Sequence, residues 1–215
     1  MKRLVALKKR IFSSSVSVIL AVAIILSTFS GMFILAGVLP RIWSGETATS
    51  FAKGSGTKDD PFIVSNGEEL ALAVSSTGRD GSGNQYYYSM SSDIFLNDVT
   101  NAAWKDDASN HEWAFVQKDA SSASKAFSGV FYGNGYKVYG LFIKESFAAP
   151  ADNKPNESYA AGLFPTATSG AVISGVGLED SYIALTNNHA TAGYSRAGNV
   201  GAIIGYVYAD FDAPV

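Results

Sequence analysis

Apolar and polar positions alternate in short runs along most of this chain, and glycine or asparagine closes each run. The clearest case is Phe127 to Ile143, FSGVFYGNGYKVYGLFI, where two alternating runs flank Gly133, Asn134 and Gly135. An Asn-Gly pair between such runs marks a tight turn between strands. The pattern then returns. Val138-Tyr139-Gly140-Leu141-Phe142-Ile143 matches Ile173-Ser174-Gly175-Val176-Gly177-Leu178, 173 − 138 = 35 residues later. Gly162-Leu163-Phe164 comes back more loosely as Gly201-Ala202-Ile203, 201 − 162 = 39 residues later. Self-similarity at this spacing predicts a repeat architecture.

Upstream, Pro61-Phe62-Ile63-Val64 reads as a short strand. Ser65 and Glu68 have capping-box spacing, and the apolar positions that follow predict one helix over about Gly67 to Ser76. Such a helix can cover the apolar end that a stack of strands exposes. Tyr86 to Leu96 reads as two strands broken near Ser91-Ser92. Asn97 to Ser124 has no period and reads as a long surface loop with one strand, Trp113 to Gln117. Residues 146–160 and 186–197 read as insertions between repeats, which repeat folds tolerate.

The first 44 residues have a different character. Lys2, Arg3, Lys8, Lys9 and Arg10 precede an apolar run from Ile11 to Leu39. That order marks an export signal or an N-terminal membrane anchor. Both alternatives stand, because Val16 to Leu39 is long enough to span and no clean cleavage motif follows. The chain therefore divides into 1–44 (signal or anchor), 45–58 (a linker rich in Gly, Ser, Thr and Lys) and 59–215 (a strand domain expected to continue past Val215). The expected location is secreted or cell-surface, with membrane contact through the N-terminal segment only. From Thr49 onward there are 10 Lys and Arg against 18 Asp and Glu, a net charge of 10 − 18 = −8. That sign argues against nucleic acid as a partner.

Candidate chemistry is sparse. Cysteine is absent, which removes disulfides, thiolate metal sites and cysteine nucleophiles. His111 and His189 sit in no metal-protease motif. The pairs Asp106-Asp107 and Glu179-Asp180 are adjacent in sequence, and neighbours on a strand point to opposite faces. The expectation is a non-enzyme without a cofactor, calcium being the one ion its scattered carboxylates could hold. Aromatic residues are the better candidates. Trp104, Trp113, Tyr132, Tyr136 and Tyr139 form the proposed binding set, with Tyr86, Tyr87, Tyr206 and Tyr208 as further outward rings. Flat exposed rings stack on sugar faces or anchor a protein partner, and the expected partner is a glycan or another surface protein. Oligomeric state is not legible.

The order of these pieces resembles the GLUG-type repeat proteins of bacterial surfaces. GSGTKDDPFIVSNGEELALAVSS is similar to their usual start, a G-x-G-T…D-P-[FY]-x-[IV] segment followed by a helix with E-L. YYSMSSDIFL resembles their strand before a D-I-x-L step. Phe127 to Ile143 resembles F-x-G-x-F-x-G-N-G-x-x-[IV]-x-[GN]-L-x-I, with Tyr132 where Asp is common. Ala161-Gly162-Leu163-Phe164 and Val200 to Tyr206 resemble successive A-G-L-F and V-G-x-[IL]-[IV]-G steps, although Pro165 departs from the pattern. The resemblance implies an all-β fold, a right-handed parallel β-helix or a solenoid close to it. Phe131, Val138, Leu141, Ile143, Leu163, Val172, Val176, Leu178 and Ile203 would then point inward as one apolar column. The implied role is a cell-surface adhesion or scaffold module, and the competing class is a β-helix enzyme acting on polysaccharide. The competing fold is an antiparallel sandwich, in which Asn134-Gly135 would close a hairpin.

Overall fold

The structure, a computed structural model, describes residues 40–115, 125–147, 159–187 and 198–208. The basic start, the apolar run, most of both expected insertions and Val116 to Ser124 lie outside the described residues. Residues 41–215 form one compact unit. Among the described residues no helix is long and apolar enough to cross a membrane.

The fold is all-β with a single α-helix among the described residues. In chain order it runs β1 (Phe62–Val64), α1 (Gly67–Ser75), β2 (Tyr87–Met90), β3 (Ile94–Phe95), a 3₁₀ turn (Trp104–Asp106), β4 (Val130–Tyr132), β5 (Lys137–Tyr139) and β6 (Phe142–Phe147). It continues with β7 (Tyr159–Ala161), β8 (Phe164–Thr168), β9 (Val172–Ser174), β10 (Gly177–Glu179), β11 (Tyr182–Asn187), β12 (Gly198–Val200) and β13 (Ile204–Tyr208). The sheets are β1-β2-β4-β9, β3-β5-β10, β6-β11, β7-β12 and β8-β13. Every pairing between these strands is parallel, which overturns the antiparallel sandwich.

Two successive stretches of chain, 130–168 and 172–208, each supply five strands that pair in the same order. Partners lie 198 − 159 = 39 to 172 − 130 = 42 residues apart. The register corrects one expected repeat. Val138 pairs with Leu178, and Ile173 pairs with Phe131. The two [VI]-x-G-[LV] segments therefore belong to different corners. They look alike because Gly140 and Gly175 both turn the chain out of a strand at positive φ, 70° and 66°. The other pair is in register only at its start, because Phe164 pairs with Ile204 and not with Ile203. Gly162 follows Ala161, which pairs with Val200, and a Cβ on Gly162 would lie 2.4 Å from the Gly201 carbonyl oxygen. Asn134 and Gly135 do make a tight turn, at φ 56° and 84°, with Tyr136 N–H donating to the Gly133 carbonyl. Its flanking strands enter different sheets, so the turn is a corner and not a hairpin.

Alternation sends Tyr88, Phe131 and Phe164 inward, each no more than 1% exposed. Their rings form a file that continues through Phe62 to Phe51, with Phe51 and Phe62 stacked at 4.4 Å. The Tyr88 hydroxyl meets the Ser76 hydroxyl at 2.8 Å, so its polar end is satisfied inside the core. Val172 is a correction to the expected inward set. It is 44% exposed and sits in the outward column with Val130, while Ile173 takes the inward place beside Phe131.

Helix α1 begins one residue later in its capping logic than the sequence suggests. Asn66 is the N-cap, accepting from Glu69 N–H at 2.9 Å. Glu69, only 4% exposed, returns the interaction. Its carboxylate accepts from Ser65 N–H, Ser65 Oγ, Asn66 Nδ2 and Ala52 N–H, so a buried charge is fully hydrogen-bonded. The last of these ties the helix to the segment expected to be a linker. Most of that segment is exposed, but it and the residues just before it are anchored at a few points. Trp43 is 3% exposed, its N–H bonds the Phe95 carbonyl, and Ala48 N–H bonds the Glu68 carbonyl. A Cβ on Gly67 would fall 2.5 Å from Trp43, so only glycine lets the helix sit this close. The compact unit starts at Arg41, so residues 41–58 belong to it together with the strands.

Candidate binding surfaces

The five aromatic candidates do not share one face. Tyr132 projects from the outer face of β1-β2-β4-β9 and is 39% exposed. The register sets Ser89, Tyr132 and Ser174 in one outward column and Tyr87, Val130 and Val172 in the next, where Val130 is itself covered, at 4% exposed. Tyr136 is exposed at the corner beyond that face. Asn134 pins the corner by donating from Nδ2 to Ser89 Oγ (2.9 Å) and to the Met90 carbonyl (2.8 Å). Tyr139 lies on the next sheet. Its ring stacks on Phe95 at 4.7 Å and 8°, and Glu179 follows in the same column.

Trp104 and Trp113 lie elsewhere. Trp104 packs edge-on against Phe142 at 6.0 Å, and Phe142 stacks on Tyr182. Trp113 is fully buried, which removes it from any binding face. Its Nε1 donates to the Leu163 carbonyl at 3.1 Å, and its ring meets Trp43 at 5.1 Å. The cause is Asn97, a buried amide that fastens the long loop down. Asn97 Oδ1 accepts from His111 N–H, and its Nδ2 donates to the carbonyls of His111 and Gly140. No strand forms over Trp113 to Phe115, and Val116 and Gln117 lie outside the described residues.

The outer face of β3-β5-β10 carries a group of charges. Lys137 Nζ pairs with Glu179, and Lys137 N–H donates to Asp93 Oδ1 at 2.9 Å. The hydrogen bond to Glu179, then its charge, carries Lys137 above its ordinary pKa. The same bond holds Glu179 below the usual carboxylate range against some desolvation. Desolvation, then the Glu179 charge, raises Tyr139. A working acid or base has its pKa drawn toward neutrality. All three groups move away from it, and Lys137 and Glu179 form an ion pair. Asp107 is likewise engaged: Ser109 N–H and then Ser109 Oγ hold it below the usual range. Asp106 pairs with Lys105 at 2.9 Å, and Asp180 sits at φ 47° in a turn. Among the described residues no group of three or more His, Asp or Glu is placed to hold a metal ion. His111 presents its ring edge to Trp43 at 6.0 Å, and His189 lies outside the described residues.

A cleft of about 380 Å³ opens between the loop Ser55–Lys58 and the segment Asp80–Tyr87. Ser55, Gly56, Thr57, Lys58, Asp80, Asn84, Gln85, Tyr86 and Tyr87 line it. Tyr86 and Tyr87 were visible in the sequence as outward aromatics. The polar residues were not, because one loop looked like linker and the other like a plain turn. What brings them together is Tyr87 N–H, which donates to the Gly56 carbonyl at 2.9 Å.

No family model matches the chain. No solved structure matches it. The chain is 23% identical over 172 residues to a protein of Evansella cellulosilytica that is named as a Gly-rich membrane protein. The match covers 80% of this chain and 17% of that relative, so the chain spans about a sixth of the relative's length.

Proposed function

We infer that this chain is an exported, non-catalytic surface module that binds a glycan or another surface protein on a rigid solenoid of strands. The carrying observation is the outer face of β1-β2-β4-β9. There Tyr132 and Val172 stand 39% and 44% exposed on strands whose alternate residues seal the core. A scaffold of this kind keeps outward rings fixed at small entropy cost, which suits recognition. The two in-register stretches about 40 residues apart support reading the fold as successive coils of a right-handed parallel β-helix of the GLUG type. The basic start and apolar run support export, and the name of the Evansella relative agrees with a place at the membrane or cell surface.

The test is an array of glycans and extracellular proteins probed with the purified protein, beside a polysaccharide-degradation screen. Binding that weakens in Tyr132→Ala or Tyr136→Ala is the expected result. Turnover of any glycan, lost on replacing Asp93 or Glu179, would overturn the reading in favour of an enzyme.

A further inference from the structure

The cleft between Ser55–Lys58 and Asp80–Tyr87 has fixed walls. Ser55 and Gly56 N–H both donate to the Asp60 carbonyl at 3.0 Å. Asp80 Oδ1 accepts from Ser82 N–H (2.9 Å) and Asn84 N–H (2.8 Å), and its Oδ2 accepts from Asn84 Nδ2 (2.9 Å). Gln85 is held from behind, its Nε2 donating to the carbonyls of Ser128 and Gly170. A ligand entering here has little loop ordering to cost it affinity.

The lining decides the ligand class. Tyr86 and Tyr87 supply aromatic surface, and Phe62 backs Tyr86 at 5.3 Å. Around the rings stand the hydroxyls of Ser55 and Thr57, the amide of Asn84, one cation (Lys58) and one anion (Asp80). Hydrogen bonds from the Asn84 side chain and backbone hold Asp80 below its ordinary pKa, so it stays ionised and its oxygens are already engaged. The two charges cancel, and a charged ligand gains no net attraction. Phosphate recognition is disfavoured further by the net charge of −8 carried from Thr49 onward, 10 Lys and Arg against 18 Asp and Glu. The Ser55 and Thr57 hydroxyls bond each other and Asp60, and Asn84 Nδ2 bonds Asp80, but hydroxyls and amides keep further donor and acceptor capacity that an apolar ligand would leave unused. The remaining chemistry is an uncharged molecule with one apolar face and many hydroxyls.

We propose that this cleft binds the terminal one or two units of an uncharged saccharide, its flat face on Tyr87 and its hydroxyls toward Ser55, Thr57 and Asn84. The size agrees, because about 380 Å³ is at the small end of ligand pockets, roughly 300–1,000 Å³. The proposal rests on the reading of the chain as a binding module and names a ligand class for a cleft at the margin of the outer face that carries Tyr132, with Tyr87 one column away from that ring.

Titration calorimetry and saturation-transfer NMR on the full chain would use glucose, galactose, N-acetylglucosamine and their β-linked disaccharides. Galacturonate and glucosamine serve as charged comparators. At least one uncharged sugar should bind, more tightly than either comparator. Tyr87→Ala should weaken it about tenfold or more, in line with the roughly 1.4 kcal/mol that a tenfold change represents. Tyr87→Leu, which keeps bulk without the ring, should weaken it as well and covers the case in which the alanine variant fails to fold. Lys105→Ala, on the distant exposed loop, should bind as the parent does. Binding by the charged sugars alone, no binding at all, or full affinity in Tyr87→Leu would overturn the proposal. Array binding lost in Tyr132→Ala but kept in Tyr87→Leu would overturn it too, while leaving the binding-module reading intact.

Discussion

Residues 130–168 and 172–208 carry the same arrangement of strands, yet only the first is sealed. Phe131, Val138 and Ile143 are fully buried, while their register partners Ile173, Leu178 and Ile183 are only partly covered. The contrast is sharper further on. Ala161 is 0% exposed and its partner Val200 is 52%; Ala167 is 1% and its partner Val207 is 49%. Residue type does not explain this, because the partners are as apolar or more so. Neighbours do. In the first stretch β4 and β5 have strands on both sides, and β6 to β8, which pair only with β11 to β13, are covered on the other side by the segments carrying Trp113 and Phe127. Among the described residues the second stretch has strands on one side only. The opposite end of the unit is closed, since Leu70, Ala71 and Ala73 of α1 and the segment carrying Trp43 pack over the first strands.

The largest effect should come from truncating one inward pair. Phe131→Ala empties a site enclosed by Tyr88 and Phe164, and about 3–5 kcal/mol of stability should be lost. Ile173→Ala removes a side chain that is already half hydrated, and about 1–2 kcal/mol is expected because less transfer free energy is at stake. Denaturant unfolding of both variants measures the difference. Equal losses would mean that the second stretch is covered in solution, and the comparison would fail.

The corner between the sheets gives a smaller, graded effect. A Cβ on Gly133 would meet Val176 N at 2.4 Å and the Gly175 carbonyl at 2.5 Å, backbone that cannot swing aside. Gly133→Ala should therefore cost about 1–3 kcal/mol by pushing β4 and β9 apart. Gly135 has φ 84° but open space within 4 Å. Gly135→Ala should cost only its backbone strain, about 1 kcal/mol. Thermal melts should rank the two in that order. The reverse order would show that the stretches are not held together as closely at this corner as the Gly133–Gly175 contact requires.

Local pattern made much of this legible. The helix expected over Gly67 to Ser76 is present over Gly67–Ser75, and the Asn-Gly turn lies where the alternation broke. Pattern could not say whether a glycine corner repeats vertically or merely recurs around the chain. That is why the Val138 and Ile173 segments were aligned although they lie in different sheets. Residues 45–58 carry no periodic signal, so their two backbone bonds to α1 could not be read from composition. Trp113 was misplaced for a different reason. Its burial depends on Asn97, Leu163 and Trp43, and no local window contains them all. The cleft escaped because its two walls, 80 − 55 = 25 residues apart in sequence, meet through a backbone bond from Tyr87 N–H to the Gly56 carbonyl beside the pairing of β1 with β2.

The smallest expected effect separates the two ends by pH. Glu68, on α1, accepts from Ser44 Oγ at 2.8 Å and pairs with Arg41 at 3.1 Å, so it clamps residues 41–44 onto the closed end. Burial alone would raise its pKa, but the hydrogen bonds and the Arg41 charge together outweigh burial and lower it. A carboxyl whose pKa is depressed on folding contributes stability above its unfolded value, and that contribution is lost as pH falls through the folded value. Acidification from neutrality to below the ordinary glutamate range, about 4.3, should therefore loosen the closed end first. Glu68→Gln should lower stability at neutral pH by about 1 kcal/mol or less, since Arg41 is well exposed, and should flatten the acid limb of the stability profile. Hydrogen exchange followed by mass spectrometry would localise the change. Protection should fall over residues 41–48 and α1 in the acid range, with β9 to β13 unaffected in this step. If acid exposes β9 to β13 and leaves residues 41–48 protected, the closed end is not held by Glu68, and the asymmetry between the ends must be assigned to packing alone.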